Sequence, residues 1–439
     1  MKRTATLFLV LLAAIAPMQA QDAVEIVFNG STATYTIPDG VKGVSIGKNG
    51  AKVTVTCTNT TTEYTYRVSG SSTNGSLTIN GDYKLTLELA GLTLTNASSG
   101  AAIDIECGKR IDVVLVDGTE NTICDSNRGS QKGAIYIKGH AEFKGGGTLN
   151  VTGLLKHAIC VKEYCELKEG LGTINILGAV SDGIHCGRGK VKNEDNYFRM
   201  MGGTLNISGI GGDGVDSDDY GVVAIDNGKV VISVGDDNIG LKADSTVTIS
   251  GGSVTIDVPG QDSKAIRANY AVSIAGGENT FTIAGDGSKG IKANRYTTGS
   301  TVLGGGNLYI SGGTTNIAVS GGNYITTTDG VADTTKCMAI SVDADLTQTG
   351  GTVNITLRGD EARGYNVKGT ETRTGGTINV TTDTQEGDVN GDGSVDVADI
   401  SAIICTMAET EVYKKADVNG DGSVDVADIS AVIVIMAGK

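Results

Sequence analysis

One short phrase recurs through the middle of this 439-residue chain, and it limits the possible folds more than any other feature. The phrase is a Gly-Gly pair, a hydroxyl residue, and then alternating apolar and polar residues, a pattern typical of a turn followed by a short β-strand. Its copies begin at Gly146, Gly202, Gly251, Gly350 and Gly375. A repeat of this kind indicates a solenoid, in which each unit stacks on the next.

A parallel β-helix is the solenoid that this pattern predicts. The repeat has no helical periodicity and holds several short strands, so each coil must bury its Ile, Val and Leu against the coils on either side. The rival is a β-sandwich, whose hairpins would not repeat the same sequence at constant spacing. The 65 glycines lie between the predicted strands instead of forming one tract, which argues against a disordered segment.

The first 20 residues predict a secretory signal peptide. Lys2 and Arg3 precede an apolar run at residues 7–16, and small residues lead to a cut before Gln21. No Cys stands at the cut, so we expect no lipid anchor, and no later stretch holds about 20 apolar residues. We therefore expect a secreted, extracellular protein, either free or associated with the cell surface. After cleavage 33 Lys and Arg stand against 50 Asp and Glu, a balance that argues against nucleic-acid partners and suits a calcium-rich exterior.

The rest of the chain divides into three parts. We expect residues 21–95 to form an N-terminal β region that caps the solenoid and supplies its first coils, because the end of a solenoid must be covered. Residues 96–384 should form the parallel β-helix, and residues 385–439 a small calcium module. The predicted fold class is therefore all-β, with an α-helical EF-hand-like module at the end.

The cysteines give no sign of a zinc site. They form no CxxC pair with zinc spacing, and the three histidines form no HExxH motif. Export permits disulfides, but the sequence assigns no pairing. Since Cys packs as a small apolar residue, we expect most of the eight to be buried thiols. They are Cys57, Cys107, Cys124, Cys160, Cys165, Cys186, Cys337 and Cys405.

A second phrase lies between the Gly-Gly copies and recurs mostly every 24 to 26 residues. It is built around one apolar residue that we expect to point inward. These residues are Ile103, Ile135, Ile159, Ile184, Val215, Leu241, Ile266, Ile291, Ile340 and Tyr365. The residue after each should face solvent, and we call this set the site column. Its members are Asp104, Tyr136, Cys160, His185, Asp216, Lys242, Arg267, Lys292, Ser341 and Asn366.

The basic part of the site column is a candidate ligand-binding surface. Neighbouring coils lie about 4.8 Å apart, so Lys242, Arg267 and Lys292 should form a ladder of like charges, which is destabilising unless something neutralises it. One interpretation is a solvated face neutralised by nearby aspartates. The other is an anionic polymer lying along the coils, and a uronate chain carries a carboxylate on every sugar. On that interpretation His185 and Lys264 also belong to the ligand-binding set.

Aspartates crowd the neighbouring coils. Asp213 and Asp216 are followed one coil later by Asp236 and Asp237. Carboxylates this close cannot all ionise without a cation, and Ca²⁺ prefers such oxygen ligands, so we predict calcium here. The alternative is that these aspartates only form turns beside glycine.

Aromatic residues offer a weaker signal. The chain has no Trp, so a flat crystalline-cellulose surface is not expected. Tyr220, Tyr270 and Tyr296 follow members of the site column by three or four residues. They either stack on sugars or pack at the corners of coils.

Two near-identical loops near the C-terminus carry the most specific motif. Residues 388–399 match D-x-N-x-D-G, with oxygen ligands at loop positions 1, 3, 5, 9 and 12 and a carbonyl at position 7, and residues 417–428 repeat the loop. Each loop runs into a short apolar helix. Without metal the acidic segment should not fold, so calcium binding and folding are linked. The predicted ligands are Asp388, Asn390, Asp392, Ser394, Asp396, Asp399, Asp417, Asn419, Asp421, Ser423, Asp425 and Asp428.

The repeat region resembles a known family. Residues 63–70, residues 113–122 and the repeated Asp/Lys-Gly-Ile phrases look like the calcium-containing carbohydrate-binding β-helix domain, over roughly residues 50–384. That family is similar in fold to pectate lyases and is associated with binding polygalacturonate and cellulose. The resemblance implies a right-handed coil.

The twin loops resemble a type I dockerin. That family binds cohesin domains and tethers polysaccharide-degrading proteins to a scaffold, so the resemblance implies a cohesin-like partner. Residues at loop positions 10 and 11 help to choose the cohesin, often through hydroxyl groups. Here they are apolar, which puts the usual partner in doubt: Val397, Ala398, Val426 and Ala427.

Together these patterns predict a secreted, calcium-dependent protein that binds an acidic plant polysaccharide such as pectin. The enzymatic alternative is a polysaccharide lyase of the same fold, with Lys242, Lys264 or Arg267 as the base. Gly240 replaces a further calcium-ligating Asp of such lyases, and we assign no catalytic residue. The third alternative is a structural or adhesive surface protein whose basic ladder binds nothing.

Overall fold

The computed structural model describes residues 23–187, 196–218, 220–298, 301–328, 331–359, 361–382, 385–413 and 415–438. The predicted signal peptide lies outside these residues. Strands account for 54% of the structure and helices for 6%, so the expected mostly-β class with two helices is confirmed. Among the described residues no helix has the length and apolar character that a membrane span requires.

The strands are short and follow one another closely. Strands β1 to β13 are Val24–Asn29, Thr32–Thr36, Val44–Asn49, Lys52–Cys57, Tyr64–Ser72, Ser76–Gly81, Leu85–Thr95, Ile103–Glu106, Arg110–Leu115, Glu120–Cys124, Gly133–Ile137, His140–Lys144 and Thr148–Gly153. Strands β14 to β26 are His157–Val161, Cys165–Leu167, Thr173–Ala179, Ile184–Cys186, Tyr197–Met200, Thr204–Ile207, Val215–Ser217, Val222–Ile225, Lys229–Ser233, Ile239–Ala243, Thr246–Ile249, Ser253–Val258 and Lys264–Ala268. Strands β27 to β39 are Ala271–Ile274, Glu278–Ile283, Lys289–Ala293, Arg295–Thr298, Thr301–Gly305, Asn307–Ile310, Thr314–Val319, Tyr324–Thr328, Val331–Thr335, Met338–Val342, Leu346–Leu357, Arg363–Val367 and Glu371–Thr382.

Two large mixed sheets hold most of these strands, one with 22 strands and one with 13. Parallel pairs dominate both sheets, and each joins a strand to the corresponding strand of the next repeat. In the 13-stranded sheet, for example, β14 pairs with β17, β17 with β20, β20 with β23, β23 with β26 and β26 with β29. Among the described strands the antiparallel pairs are β1–β2, β3–β4, β30–β31 and β34–β35.

The inward residues meet as the sequence predicts. Ile159 aligns with Ile184, Ile184 with Val215 and Val215 with Leu241, and all four are fully buried. Full burial of such a side chain contributes about 1.5 to 3 kcal/mol relative to an exposed one, so the stacking of neighbouring repeats is stabilising. Tyr365, in the last coil of this column, is only half-buried.

The structure explains two residues of the Gly-Gly phrase, its asparagine and its second glycine. Its Asn side chains form amide ladders between coils: Asn175 donates to Asn150 at 2.8 Å and Asn206 donates to Asn175 at 2.8 Å. In four of the five copies the second glycine adopts a left-handed conformation at the turn, as at Gly252 with φ +75°. A Cβ there would lie 2.5 Å from the Gly228 carbonyl oxygen.

The C-terminal segment forms helix α1, Val397–Met407, and helix α2, Val426–Ala437. Asp396 and Asp425 are their N-caps, and Asp399 and Asp428 close each capping box from the third helical position. Ile403 and Val432 lie in a small separate core. All eight cysteines are thiols, and five of them are buried, as expected.

The C-terminal segment contacts the last coils through Arg358. The Arg358 guanidinium donates to the Asp392 carbonyl oxygen at 2.7 Å, and Lys415 donates to the Arg358 carbonyl oxygen at 2.6 Å. The first of the twin loops therefore touches the β structure directly.

Candidate functional site

The site column forms in one parallel register on the 13-stranded sheet. Its members pair in the predicted order of Asp104, Tyr136, Cys160, His185, Asp216, Lys242, Arg267, Lys292, Ser341 and Asn366. The prediction that every member faces solvent is wrong for Cys160, Asp216 and Ser341, which are buried. Lys242 covers Asp216 and Lys292 covers Ser341 from the neighbouring strands.

A flanking column runs beside the site column, two residues before each inward apolar residue. In the same strands Ile239 pairs with Lys264, Lys264 with Lys289, and Lys289 with Met338. The earlier coils place His157, Asp182 and Asp213 at the equivalent sequence position. This column has the same spacing as the site column, and of the members named here Lys264 and Asp213 were predicted from the sequence as site residues.

Acidic and histidine side chains gather where the two columns cross β14, β17 and β20. We call this group the His–Asp cluster: His157, Asp182, His185, Asp213, Asp216, Asp218 and Lys242. Asp182 Oδ2 lies 3.0 Å from His157 Nδ1 and 3.1 Å from His185 Nδ1. The two imidazole rings stack with their centroids 4.3 Å apart. One carboxylate oxygen therefore faces two stacked imidazoles.

Lys242 occupies the other side of the His–Asp cluster. Its ammonium lies 2.9 Å from Asp213 Oδ2, 3.1 Å from Asp216 Oδ1 and 3.9 Å from Asp218 Oδ1. The Lys242 side chain is only 24% exposed. Lys242 is therefore not an open rung of a basic ladder, because its charge is engaged by the aspartates of the preceding coil.

In this cluster, burial and the neighbouring charges shift the pKa values of the side chains in opposite directions. Burial alone would lower the pKa of His185, but its hydrogen bonds with Asp182 and Asp216 raise that pKa to about 9. Burial would also raise the pKa of Asp182, but the hydrogen bonds from His157 and His185 hold it well below its usual range. For Lys242 burial acts to lower the pKa, yet the charges of Asp216 and Asp213 raise it above the ordinary value.

Of the four aspartates predicted to bind calcium here, Asp213 and Asp216 lie in the His–Asp cluster, whereas Asp236 and Asp237 lie outside it. Asp236 and Asp237 are exposed, and Asp236 Oδ1 accepts from the Gln261 backbone N–H at 2.8 Å. Among the described residues, the groups of three or more metal-capable side chains that lie within 4.8 Å of one another all belong to the His–Asp cluster. Those groups include Asp213 and Asp216 but neither Asp236 nor Asp237.

Basic side chains gather two coils further along, on β26 and β29. We call this group the basic cluster: Lys264, Arg267, Lys289 and Lys292. Lys264 contacts Asp262 at 3.0 Å and Lys292 contacts Asp343 at 2.8 Å. Lys289 makes no ion pair among the described residues, and its ammonium donates to the Gly287 carbonyl oxygen at 2.8 Å.

The positive charges of the basic cluster disfavour one another. Burial lowers the pKa of Lys289, and the charges of Lys264 and Lys292 lower it further, to about 8. Burial likewise lowers the pKa of Lys292, although Asp343 opposes this shift. Lys289 is not among the ligand-binding residues predicted from the sequence, because its pKa shift depends on neighbours from other repeats.

The tyrosines lie beside these strands. The Tyr220 and Tyr296 hydroxyl groups are 3.2 Å apart, and their ring centroids are 5.7 Å apart at a tilt of 52°. Tyr220 is 45% exposed and holds a left-handed backbone with φ 67°. Tyr296 lies on β30, and its contact with Tyr220 joins that strand to the segment between β20 and β21.

The first C-terminal loop holds a buried carboxylate oxygen without a partner. Asp388 is 1% exposed, and its Oδ1 has no hydrogen-bond partner among the described residues, while its Oδ2 accepts from the Gly393 N–H at 3.0 Å. Burial raises the pKa of Asp388. Asp399 accepts instead from the N–H groups of Val389 and Asp396, both at 2.8 Å.

The second loop repeats this arrangement. Asp417 Oδ2 accepts from the Gly422 N–H at 2.9 Å, and Asp428 Oδ1 accepts from the Asn419 N–H at 3.0 Å. The residues that precede and open each helix are exposed, with Val397 at 69% and Val426 at 66%. Two matched apolar surfaces are therefore presented to solvent.

Comparison with known proteins assigns both parts of the chain. The family model described as carbohydrate-binding domain-containing protein matches residues 49–320, and the model of the type I dockerin domain matches residues 386–436. The chain is also similar to the solved structure of the polysaccharide lyase-like protein from C. thermocellum, a gadolinium derivative. That similarity has 18% identity and a TM-score of 0.33, and covers 82% of this chain and 97% of that chain. Comparison with curated proteins gives no match.

Proposed function

This chain belongs to the family of carbohydrate-binding domain-containing proteins and ends in a type I dockerin domain, and from these two facts we propose that it binds an acidic polysaccharide outside the cell. The observation that carries the acidic preference is the basic cluster. A uronate polymer such as polygalacturonate suits it, because each sugar supplies one carboxylate. The dockerin would hold the protein in a polysaccharide-degrading assembly or at a cell surface.

The charge of the basic cluster favours an anionic ligand. Two of its cations, Lys264 and Lys292, contact the carboxylates of Asp262 and Asp343, and Asp343 also contacts Lys368. Neighbouring strands lie about 4.8 Å apart, so the cations form a short positive strip. Each partly exposed carboxylate–cation pair contributes about 0.2 to 1 kcal/mol, and a polymer that engages three or four of them gains affinity from the sum.

The proposed ligand-binding residues differ from those predicted from the sequence. Arg267, Lys292 and Lys264 remain in the ligand-binding set, and Lys289 joins them. Lys242 and His185 are engaged by aspartates, so we assign them to the His–Asp cluster instead.

We propose a right-handed parallel β-helix for the body of the protein. The parallel pairing of each strand with its equivalent one repeat later supports a coiled chain. On this proposal residues 21–95 cap the coil, residues 96–384 form its main part, and residues 385–439 form the dockerin. Removal of residues 1–20 on export would place the whole protein in the extracellular medium.

Calcium fits the two dockerin loops. A cation would satisfy the buried Asp388 Oδ1, which has no hydrogen-bond partner within the described part of the chain, and the loop donors are the oxygen ligands that Ca²⁺ prefers. The proposed ligands in each loop are those at positions 1, 3, 5, 7, 9 and 12, which begin at Asp388 and Asp417. Bound calcium would neutralise the loop carboxylates, and Asp399 and Asp428 would link it to the helix N-termini.

The exposed apolar residues of the dockerin would contact its partner. We propose that a cohesin-like domain docks on Val397, Ala398, Val426 and Ala427. Two valines at equivalent positions of the two helices give an apolar contact on each half of the module. A cohesin that relies on hydroxyl partners would bind this surface weakly.

Affinity electrophoresis in gels that contain polygalacturonate tests the binding proposal. Wild-type protein should be retarded, and the double variant Arg267→Glu/Lys289→Glu should migrate as it does without polymer. Lys229→Glu is the matched control, because Lys229 is exposed on the 22-stranded sheet and its reversal changes the net charge in the same direction. Equal retardation of wild type and the double variant would contradict the proposal.

A second candidate function is a polysaccharide lyase, favoured by one observation. A lyase needs a base with a lowered pKa to remove the proton next to the uronate carboxyl, and Lys289 has a pKa near 8 beside Arg267 and Lys292. Rising ultraviolet absorbance of unsaturated products from polygalacturonate with calcium would support this activity. Loss of that signal in Lys289→Met, with binding retained, would identify the base.

A further inference from the structure

We infer that Arg358 holds the first calcium loop of the dockerin against the last repeats of the β structure. Calcium in this loop then fixes the orientation of the dockerin on the β structure, whereas calcium in the second loop, which has the same sequence, does not. The proposed calcium binding by the dockerin is a premise here, and the proposed polysaccharide binding is not.

The two loops share one sequence but have different surroundings. Residues 388–399 and residues 417–428 are identical. A Cβ added at Gly393, the sixth position of the first loop, would overlap the Arg358 guanidinium. A Cβ at the equivalent Gly422 would meet no described atom within 4 Å beyond its chain neighbours. The sixth position is therefore packed against Arg358 in the first loop and open in the second.

The fourth position of the loops differs in the same way. Gly391 is buried, and a Cβ there would lie 3.5 Å from the Cβ of Ser320, which follows β33. The equivalent Gly420 is exposed, and a Cβ there would meet no described atom within 4 Å beyond its chain neighbours. The β structure therefore contacts the first loop on two sides of its turn and leaves the second loop in solvent.

The β structure sets the position of Arg358. The residue directly follows β37, and its backbone N–H donates to the Val319 carbonyl oxygen at 2.8 Å, which continues the pairing of β37 with β33. Its guanidinium donates to the Asp392 carbonyl oxygen at 2.7 Å, and its own carbonyl oxygen accepts from the Lys415 ammonium at 2.6 Å. Two hydrogen bonds in opposite directions therefore join the β structure to the dockerin at one residue.

The Arg358 contact depends on the shape of the first loop. Asp392 stands at the fifth loop position, where its carboxylate is a proposed calcium ligand and its carbonyl oxygen contacts Arg358. The four carboxylates of an empty loop repel one another, and calcium neutralises them and fixes the loop backbone. Loss of calcium from the first loop would therefore displace the oxygen that Arg358 holds. Because coupling between two equilibria is reciprocal, the Arg358 contact should also strengthen calcium binding in this loop.

A polar cleft lies between the β structure and the dockerin beside Arg358. Its volume is about 550 Å³, and its lining includes Asp286 and Glu361 of the β structure and Asn390 and Tyr413 of the dockerin. Domains joined by a small polar interface move relative to one another by default. The orientation of the dockerin therefore depends on few contacts, and Arg358 makes two of them.

The proposed docking surface stays accessible in this orientation. Val397 and Val426 are 69% and 66% exposed. While calcium fills the first loop, a scaffold partner would therefore meet a dockerin whose direction relative to the basic cluster is fixed. With the first loop empty, that direction would vary.

Single-molecule energy transfer in the full-length mature protein measures this orientation. One dye is attached at Lys229 on β22 and the other at Val434 on α2, both exposed, through non-natural amino acids that leave the eight thiols unmodified. With saturating calcium, the wild type should give one narrow distance distribution. Arg358→Gln should broaden it. Arg363→Gln is the control, because it removes an exposed arginine from the next strand, β38, and should leave the distribution narrow.

The two identical loops supply a matched pair of variants. Asp388→Ala removes a proposed ligand of the first loop and should broaden the distribution read at Val434, which follows the intact second loop. Asp417→Ala removes the equivalent ligand of the second loop. Its distribution is read from a dye at the exposed Ser401 on α1, which follows the intact first loop, and should stay narrow.

Calorimetric titration with calcium and circular dichroism separate loss of the Arg358 contact from loss of folding. Arg358→Gln should keep the helical signal and one calcium ion per loop, with the affinity of the first loop reduced about 2- to 5-fold and that of the second unchanged. A broad distribution in the wild type, a narrow one in Arg358→Gln, or equal widths for Asp388→Ala and Asp417→Ala would overturn the role of Arg358 while leaving the calcium loops standing. No calcium binding by the wild type would refute the proposed calcium loops and the role of Arg358 with them.

Discussion

Replacing Lys242 by Met tests whether the Lys242 ammonium neutralises the buried aspartates Asp213 and Asp216. Met keeps most of the side-chain volume and removes the ammonium that contacts Asp213 at 2.9 Å and Asp216 at 3.1 Å. Breaking one partner of a buried ion pair costs about 3 to 5 kcal/mol, because the remaining charge is left uncompensated. Since the Lys242 side chain is 24% exposed, we expect the lower end, about 3 kcal/mol.

The assay is urea unfolding followed by circular dichroism, in calcium buffer freed of transition metals. Lys229→Met is the control on the other large sheet and should change the free energy of unfolding by less than about 0.5 kcal/mol. The double variant Lys242→Met/Asp216→Asn should recover part of the loss, because it removes one of the orphaned charges. A loss below 1 kcal/mol in Lys242→Met would refute the argument that Lys242 neutralises these aspartates.

Three further predictions address the other sites. Retention on polygalacturonate should fall as pH rises from 7 to 9, because Lys289, with a pKa of about 8, is charged below that pH and neutral above it. Lys289→Arg stays charged over this range, so its retention should not fall. If retention of Lys289→Arg falls as much as that of the wild type, Lys289 is not the cause of the pH dependence. Removing calcium with a chelator should unfold the dockerin, seen as loss of the helical signal of α1 and α2, and Asp388→Ala should weaken calcium binding in the first loop alone. Val397→Asp/Val426→Asp should abolish capture by any cohesin that binds the wild-type protein without changing calcium affinity, and undiminished capture would place the docking surface elsewhere.

Prediction from the sequence was correct where a regular spacing of one residue type follows directly from the structure it forms. The inward Ile and Val column and the register of the site column followed from alternation and a constant repeat, since a shift by one residue would expose the apolar set. The dockerin loops were found because calcium ligands stand at fixed positions along one short segment.

Prediction from the sequence was wrong where side chains from several repeats contact one another. The sequence predicts Lys242 as part of a ladder of like charges, yet the preceding repeat places Asp213 and Asp216 within ion-pair distance of it. His157 and Lys289 were not predicted, because their partners lie on other repeats: Asp182 contacts His157, and the charges of Lys264 and Lys292 act on Lys289. Loops of unequal length hid the spacing of the flanking column around Asp213, where the repeat lengthens.

Titration calorimetry with oligogalacturonate would measure directly whether the basic cluster binds an anionic polysaccharide. We expect saturable binding to the wild-type protein that weakens steeply between low and high salt, because salt screens partly exposed charges. We expect no heat of binding with a neutral oligosaccharide of the same length, and none when oligogalacturonate is added to Arg267→Glu/Lys289→Glu. Equal affinity for the neutral and the acidic oligosaccharide, or unchanged binding by the double variant, would contradict the proposed binding.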